Sequence, residues 1–456
     1  MDAARLGSIL AAMQTPLAES SALTITGADP VYPSRLPLAE VGAVALALCG
    51  QQAARLHELR TGQGQVVTVD VLAAARMLSS LYLARLDGAP LPLSDEATVG
   101  RYRCADGGWI FLQGLFPGLR DGILEVLGCP DDRASVAAAT ATWPAQALED
   151  ALAQRRVSAA RVRTRQEWLD HPQGQYVSGL PAVEIVRVGD SDPEPLPPGT
   201  APLDGVRVLD LSRVLAGPTC ARTLGEHGAE VLLVSGPGLP FSVPSSTDTG
   251  HGKRTCWISL DRPEGRDRLH GLVEQADVIC DGYRWGSLQR RGVGLADAVA
   301  RRPGIVYVSV NCYGPGGPWR DRAGWEQTAE AATGVMVEQG PDGDPRLLPT
   351  PFADYVTGYL AAYGALVALN LRASVGGSWH VRASLCQTLE WLFRVGVLPE
   401  APPAGTPLDG GAMLAWQTEL GRLDYVGPVV QMGLTPPFYR SAPVALGTHQ
   451  AQWVTA

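Results

Sequence analysis

Three observations predict an α/β chain built on a doubly wound parallel sheet, with a smaller α+β unit beside it. The first is Gly205-Val-Arg-Val-Leu-Asp-Leu-Ser-Arg-Val-Leu-Ala-Gly-Pro-Thr219. Val206, Val208 and Leu209 supply a buried strand, and Gly217-Pro218 closes a turn and opens a helix. The second is the alternation of strand-like and helix-like runs that follows it, the pattern of right-handed βαβ crossovers. The third is an internal repeat: a shift of 314 positions lays residues 39–78 on 353–392 without a gap.

The elements of the second half follow in order. After a strand at 206–211, a helix runs from Pro218 to His227 with Gly228 as its stop. Ala229–Val234 is the next strand, and the Gly-, Pro- and Ser-rich stretch 235–252 reads as a long loop. Asp261 followed by Glu264 predicts a capped helix start. Strands follow at Ala276–Cys280 and Gly304–Val310. A helix from Asp354 to Arg372 has so few polar residues that it should be buried on most sides. The turn Gly376-Gly377, a strand at His380–Arg382 and a helix from Ser384 complete this half.

The first half reads as a helix over Ala39–Arg60, the turn Thr61-Gly-Gln-Gly-Gln65, a strand at Val66–Val69 and a helix over Asp70–Leu86. This order of helix, glycine turn, strand and helix is the order at 353–392. Ala39/Ala353, Gly50/Gly364, Gly62/Gly376 and Val67/Val381 coincide under the shift. The expected organisation is therefore 1–99, resembling the closing elements of the large domain, and a small α+β domain at 100–195. A linker at 196–204, the sheet domain at 205–395, and a poorly patterned connector and tail at 396–456 follow.

Composition narrows the function classes. With 456 residues, 46% hydrophobic and 18% charged, the chain has the makings of large globular domains. A net charge of −9 gives no general attraction to nucleic acid or anionic membrane, so phosphate binding needs a local basic site. No apolar run reaches membrane-spanning length, and the N-terminus lacks the features of a signal peptide. The eight cysteines form no C-x-x-C pair, which suits reduced thiols and a cytoplasmic setting. No metal-ligand spacing or Ser/His/Asp order is present, so no metal or resident cofactor is expected.

Candidate chemistry gathers at the strand ends. Ser212–Pro218 lacks G-x-G-x-x-G, which argues against a nicotinamide or flavin site, yet it offers helix N-terminal N–H groups beside Arg213. Lys253-Arg254, Arg284 and Arg290-Arg291 are cations suited to a diphosphate. Asp354, after Pro349-Thr-Pro-Phe-Ala353, reads either as an N-cap or as a nucleophilic carboxylate that helix-end donors would keep ionised. Glu326 opens another helix, as a substrate-orienting group or an ordinary first-turn acid. Glu40 is the repeat's counterpart of Asp354; its role is open.

These motifs occur together in a known order. Gly205–Pro218, Gly228-Ala-Glu-Val-Leu, Gly252-Lys-Arg-Thr, Leu260-Asp-Arg-Pro-Glu-Gly265, Tyr313-Gly-Pro-Gly-Gly-Pro-Trp319 and Ala353-Asp-Tyr-Val-Thr-Gly358 resemble family III CoA-transferases over about 205–395. That family includes formyl-CoA and carnitine CoA-transferases and α-methylacyl-CoA racemases. Residues 39–200 resemble its later part, so the halves look rearranged. The resemblance implies a Rossmann-like large domain and a homodimer, its interlocking left open. It also implies coenzyme A or acyl-CoA and a carboxylic acid as substrates. Asp354 matches the catalytic aspartate, with Glu326 beside it, and Arg213, Val214, Leu215, Ala216, Ile258, Tyr283 and Arg290 match positions lining the CoA site. The implied reaction moves CoA from an acyl-CoA to a carboxylate through aspartyl anhydride and thioester intermediates. The alternative is a non-catalytic CoA-binding or interaction subunit. A racemase would carry Gly-His-Asp where this chain has Gly324-Trp325-Glu326.

Overall fold

The computed structural model describes residues 1–16, 23–340, 343–402 and 404–454. Its centre is a seven-stranded sheet: β1 (Glu184–Gly189), β2 (Arg207–Leu211), β3 (Glu230–Ser235), β4 (Lys253–Trp257), β5 (Val278–Asp281), β6 (Val306–Asn311) and β7 (Ser378–Ser384). The spatial order is β4-β3-β2-β5-β6-β7-β1. The strands from β2 to β7 are parallel, and only β1 runs antiparallel, against β7. Leu209 of β2 pairs with Leu232 on one side and Ile279 on the other, so this strand is central. Its nearly continuous apolar run is what a strand covered on both faces requires. The winding reverses between β2 and β5, which opens a crevice beyond their C-terminal ends. The chain is an α/β protein with a doubly wound parallel sheet.

The repeat is visible in the structure. Leu38–Thr61 and Phe352–Val375 are both helices of 24 residues, each entered through a proline and left through a glycine. Their bounds agree under the 314-residue shift. The two helices pack on each other, with the Cys49 thiol donating to the Tyr359 carbonyl at 3.1 Å and Asn370 Nδ2 to Gln52 Oε1 at 3.0 Å. Phe352–Val375 also crosses Ala216–Glu226, and here Gly358 is required. A Cβ on it would sit 2.6 Å from the Ala216 carbonyl oxygen. Contrary to the sequence reading, this helix does have membrane-spanning length and hydropathy, but 94% of its apolar window is buried inside the protein.

A three-stranded antiparallel sheet (Val99–Arg103, Trp109–Gln113, Ala159–Arg161) carries helices Pro117–Leu127, Arg133–Thr140 and Ala145–Gln154 around its own core of Ile110, Leu112, Ile123, Leu148 and Leu152. This is the smaller α+β unit. Residues from 163 onward clasp the second half. Arg165 and Trp168 both bond the buried Glu390, and Gln173 accepts from Trp319 N at 2.7 Å while donating to the Tyr313 carbonyl.

Several local readings change. Arg262, with Pro263 behind it, stands at the helix start where Asp261 and Glu264 suggested a capping box. The loop 235–252 contains a helix at Val243–Thr249, capped by the Ser242 side chain. The helix from Asp70 stops at Ser79, and Ser80–Leu83 forms a separate turn. The segment 408–454 also has structure. Leu414–Thr418 and Gly421–Tyr425 form a hairpin on Arg85–Leu86, and Gln431–Met432 joins Val67–Asp70. Further on, His449 N bonds the Thr255 carbonyl at 2.8 Å, so the segment around His449 covers the open edge of β4.

Candidate active site

The C-terminal ends of the parallel strands surround a cavity of about 790 Å³. Its walls come from the turns after β2, β3, β4, β5 and β6, together with Phe116, Arg155 and Arg156 of the small unit. The nine residues named for the catalytic and CoA positions line it: Asp354, Glu326, Arg213, Val214, Leu215, Ala216, Ile258, Tyr283 and Arg290; so do Arg284 and Arg291, whereas Lys253, Arg254 and Glu40 do not. The sequence did not point to Phe116, Arg155 or Arg156. The small unit offers no motif at those positions, and only the fold carries them to the cavity.

Two turns meet at the switch point. A Cβ on Gly282 would lie 2.7 Å from Ser212 Cβ, so the turns after β2 and β5 approach as only glycine allows. Beneath them Asp210 and Lys253, both buried, form an ion pair at 2.8 Å. The Asp210 carboxylate also holds the Ser212 amide at 3.0 Å, and Lys253 Nζ donates to the Pro218 carbonyl. Lys253 is thus taken by the scaffold rather than offered to a ligand. Arg254 is likewise paired, with Glu230 at 3.3 Å. Between these anchors Val214 takes φ = 69°. A β-branched residue in the left-handed region is strained, and such strain persists only where neighbours enforce it.

The cations that do face the cavity are arginines. Arg213 lies 4.9 Å over the Phe116 ring and donates to the Pro240 carbonyl. Arg291 is held by Ser287. Arg284 is enclosed enough that burial lowers its pKa, and the Arg156 charge lowers it further. These two guanidinium groups, one from each unit, make the pocket locally basic in a chain of net charge −9.

Asp354 occupies the third position of Phe352–Val375, with Pro351 at the cap. Its carboxylate does not cap its own helix. Glu326 Oε1 accepts the Ala353 amide at 2.7 Å and the Asp354 amide at 3.4 Å, taking the N–H groups expected to stabilise Asp354. One turn along, Glu330 Oε2 accepts the Leu348 amide at 2.9 Å, so helix Glu326–Thr333 holds the approach to Asp354 at two points. Among the described residues no Lys or Arg nitrogen lies within 4.0 Å of any of these three carboxyls. Burial therefore dominates their titration. It raises Asp354 from 3.8 to about 7 and Glu330 from 4.5 to about 8. Glu326 rises well above its ordinary value, first through burial and then through the charges of Asp354 and Glu330. The expectation that helix-end donors keep Asp354 ionised is overturned. The donors go to Glu326, and Asp354 sits at the edge of ionisation near neutrality.

Glu40, the repeat's counterpart, meets a different fate. Arg5 pairs with its carboxylate at 2.8 Å, and Asp29 Oδ2 accepts its amide at 2.8 Å. A second carboxylate thus caps both repeat helices, but only the one bearing Asp354 leaves its acid without a cation.

Known proteins resemble this chain over much of its length. The model of CoA-transferase family III matches residues 12–184 and 203–408. An acyl-CoA transferase of Gibberella moniliformis is 33% identical over 323 residues, 64% of this chain and 56% of that protein. An acetyl-coenzyme A transferase of Hypoxylon pulicicidum is 38% identical over 44% of this chain and 35% of its own length. Human succinyl-CoA:glutarate CoA-transferase is 37% identical over 37% of this chain and 41% of its own. The chain thus spans about half, or less, of these relatives. Among solved structures, a CAIB/BAIF family protein from Brucella suis aligns at 30% identity over 42% of this chain and 55% of its own, with a TM-score of 0.40. On the family match over most of its length, the chain belongs to CoA-transferase family III.

Proposed function

We propose that this chain transfers CoA from an acyl-CoA thioester to a carboxylic acid, with Asp354 as the nucleophile. The observation that carries the reading is the placement of Asp354: a carboxyl without a cation, opening into a basic cavity beyond a parallel sheet. The Asp354 carboxylate attacks the thioester carbonyl, the C–S bond breaks, and CoA leaves as the thiolate from a mixed anhydride. The thiolate attacks the aspartyl carbon, releasing the donor carboxylate and leaving an aspartyl-CoA thioester. An acceptor carboxylate attacks that thioester and expels the thiolate, which then takes the acceptor's acyl carbon and returns Asp354. Thioester energy is conserved at each step, so no nucleotide is consumed.

The cavity residues suit these steps. Arg213, Arg284 and Arg290 are the groups for the CoA phosphates, and the strained Val214 turn fixes the backbone beside them. Glu326 holds the first turn of the Asp354 helix, which keeps the nucleophile aimed at the cavity. Trp325 stands where a racemase needs histidine. The test is exchange of isotopically labelled free carboxylate into its acyl-CoA, across a panel of acids. Exchange that is lost in Asp354→Asn supports the reading. No exchange with any acid, together with CoA binding that persists, favours a binding subunit.

A further inference from the structure

The helix Ala145–Gln154 of the small unit ends in a left-handed turn that places a cation on the cavity wall. Arg156 N donates to the Ala153 carbonyl at 3.0 Å and Val157 N to the Leu152 carbonyl at 3.2 Å, while Leu152 and Val157 both join the unit's apolar core. In such a cap the residue beyond the helix turns left-handed, a position that glycine fills most readily. The neighbouring helix, Pro117–Leu127, follows that preference and stops on Gly128 at φ = 63°. Arg156 takes the same φ of 63° with a full side chain, and it lines the cavity.

Six arginines line the cavity, and the protein itself engages three of them. Arg155 pairs with Glu125 at 2.7 Å and Arg291 with Asp261 at 3.7 Å, while Arg213 lies over Phe116 and donates to the Pro240 carbonyl. Among the described residues, Arg156, Arg284 and Arg290 make no side-chain hydrogen bond, ion pair or ring contact. Arg156 and Arg284 come from different units, yet burial and then the Arg156 charge lower the Arg284 pKa. Two guanidinium groups on one cavity, close enough to feel each other and without a counter-ion, make a place for a doubly charged anion.

We propose that Arg156 is a ligand-binding residue: with Arg284 it grips one phosphate of the CoA moiety, so that the bound ligand ties the small unit to the sheet domain. This rests on the CoA-transferase reading, which supplies a ligand bearing a diphosphate and a 3′-phosphate. Guanidinium groups meet phosphate oxygens through paired N–H donors. An anion between the two charges replaces their repulsion with attraction. Backbone strain in a non-glycine residue is then found where the side chain is needed.

The experiment measures the dissociation constant of free CoA for the full chain by calorimetry, in the parent, Arg156→Gly and Arg156→Asn. Glycine and asparagine both suit the left-handed position, so the melting temperature should be kept. CoA should bind about ten-fold more weakly to each variant. The same titration with 3′-dephospho-CoA identifies the phosphate: a loss confined to CoA assigns the 3′-phosphate, and a loss shared by both ligands assigns the diphosphate. Arg284→Gln should weaken CoA similarly, and its loss should not add to that of Arg156→Gly, because both groups hold one phosphate. Arg156 variants that bind CoA as tightly as the parent, or losses that simply add, overturn this inference and leave the transferase reading standing. A parent chain that binds neither CoA nor any acyl-CoA overturns both.

Discussion

Glu326 Oε1 stands 2.7 Å from the Ala353 amide and 3.4 Å from that of Asp354, so one acid caps the helix that presents the other. The cap takes the Ala353 and Asp354 amides, and the three clustered carboxyls share whatever protons burial forces upon them.

The first consequence is a pH dependence. Asp354 must be ionised to attack, and burial raises it to about 7. The value of kcat/KM for acyl-CoA should rise through an apparent pKa near 7 and flatten above it, as a pH–rate profile will record. An acid limb near 4 would contradict the burial argument.

The same shift bears on stability. A carboxyl whose folded pKa exceeds its unfolded value binds more protons when folded over the interval between the two. Its contribution to stability is present below about 4 and is lost as pH rises toward 7. Asp354→Asn, which cannot ionise, should therefore be inactive yet more stable than the parent at pH 8. The gain should be about 1–3 kcal/mol and should shrink by pH 5, as denaturant titrations at both pH values will read.

Glu326 acts as an acceptor, and two substitutions separate that role from its charge. Glu326→Gln keeps an oxygen for the Ala353 amide and should preserve both melting temperature and the acid limb. Glu326→Ala leaves the amides uncapped and should cost about 1–2 kcal/mol together with a large loss of kcat.

Val214 holds a conformation that costs about 1–3 kcal/mol in a β-branched residue. Glycine removes that cost and adds about 0.5–1 kcal/mol of unfolded-chain entropy, so the strain term wins. Val214→Gly should melt at a slightly higher temperature while its KM for acyl-CoA increases, because the turn loses its fixed shape.

The pair Asp210–Lys253 is internal to the scaffold. Lys253→Met alone strands a buried carboxylate and should cost about 3–5 kcal/mol, whereas Asp210→Leu with Lys253→Met should recover most of it. Equal effects of the single and double variants in thermal unfolding would contradict a buried pair.

Much of this arrangement is legible in the sequence, for reasons particular to each stretch. Residues 205–218 declare a strand and turn because β2 is buried on both faces and so reads as a continuous apolar run. The 314-residue repeat gives both long helices because each is enclosed on nearly all sides. Other features depend on distant partners. Leu414–Thr418 and Gly421–Tyr425 form half-exposed strands whose neighbour, Arg85–Leu86, lies far away in the chain. Lys253 looks like a ligand-binding cation until Asp210 is seen beneath it. Asp354 looks like a cap until Glu326, from another helix, occupies that position.

The central claim is that Asp354 becomes acylated. Incubation with acyl-CoA and hydroxylamine, followed by peptide mass spectrometry, measures it directly. The account predicts a hydroxamate on Asp354 that disappears in Asp354→Asn; a hydroxamate on Glu326 or Glu40 instead, or none with any acyl-CoA that binds, would contradict it.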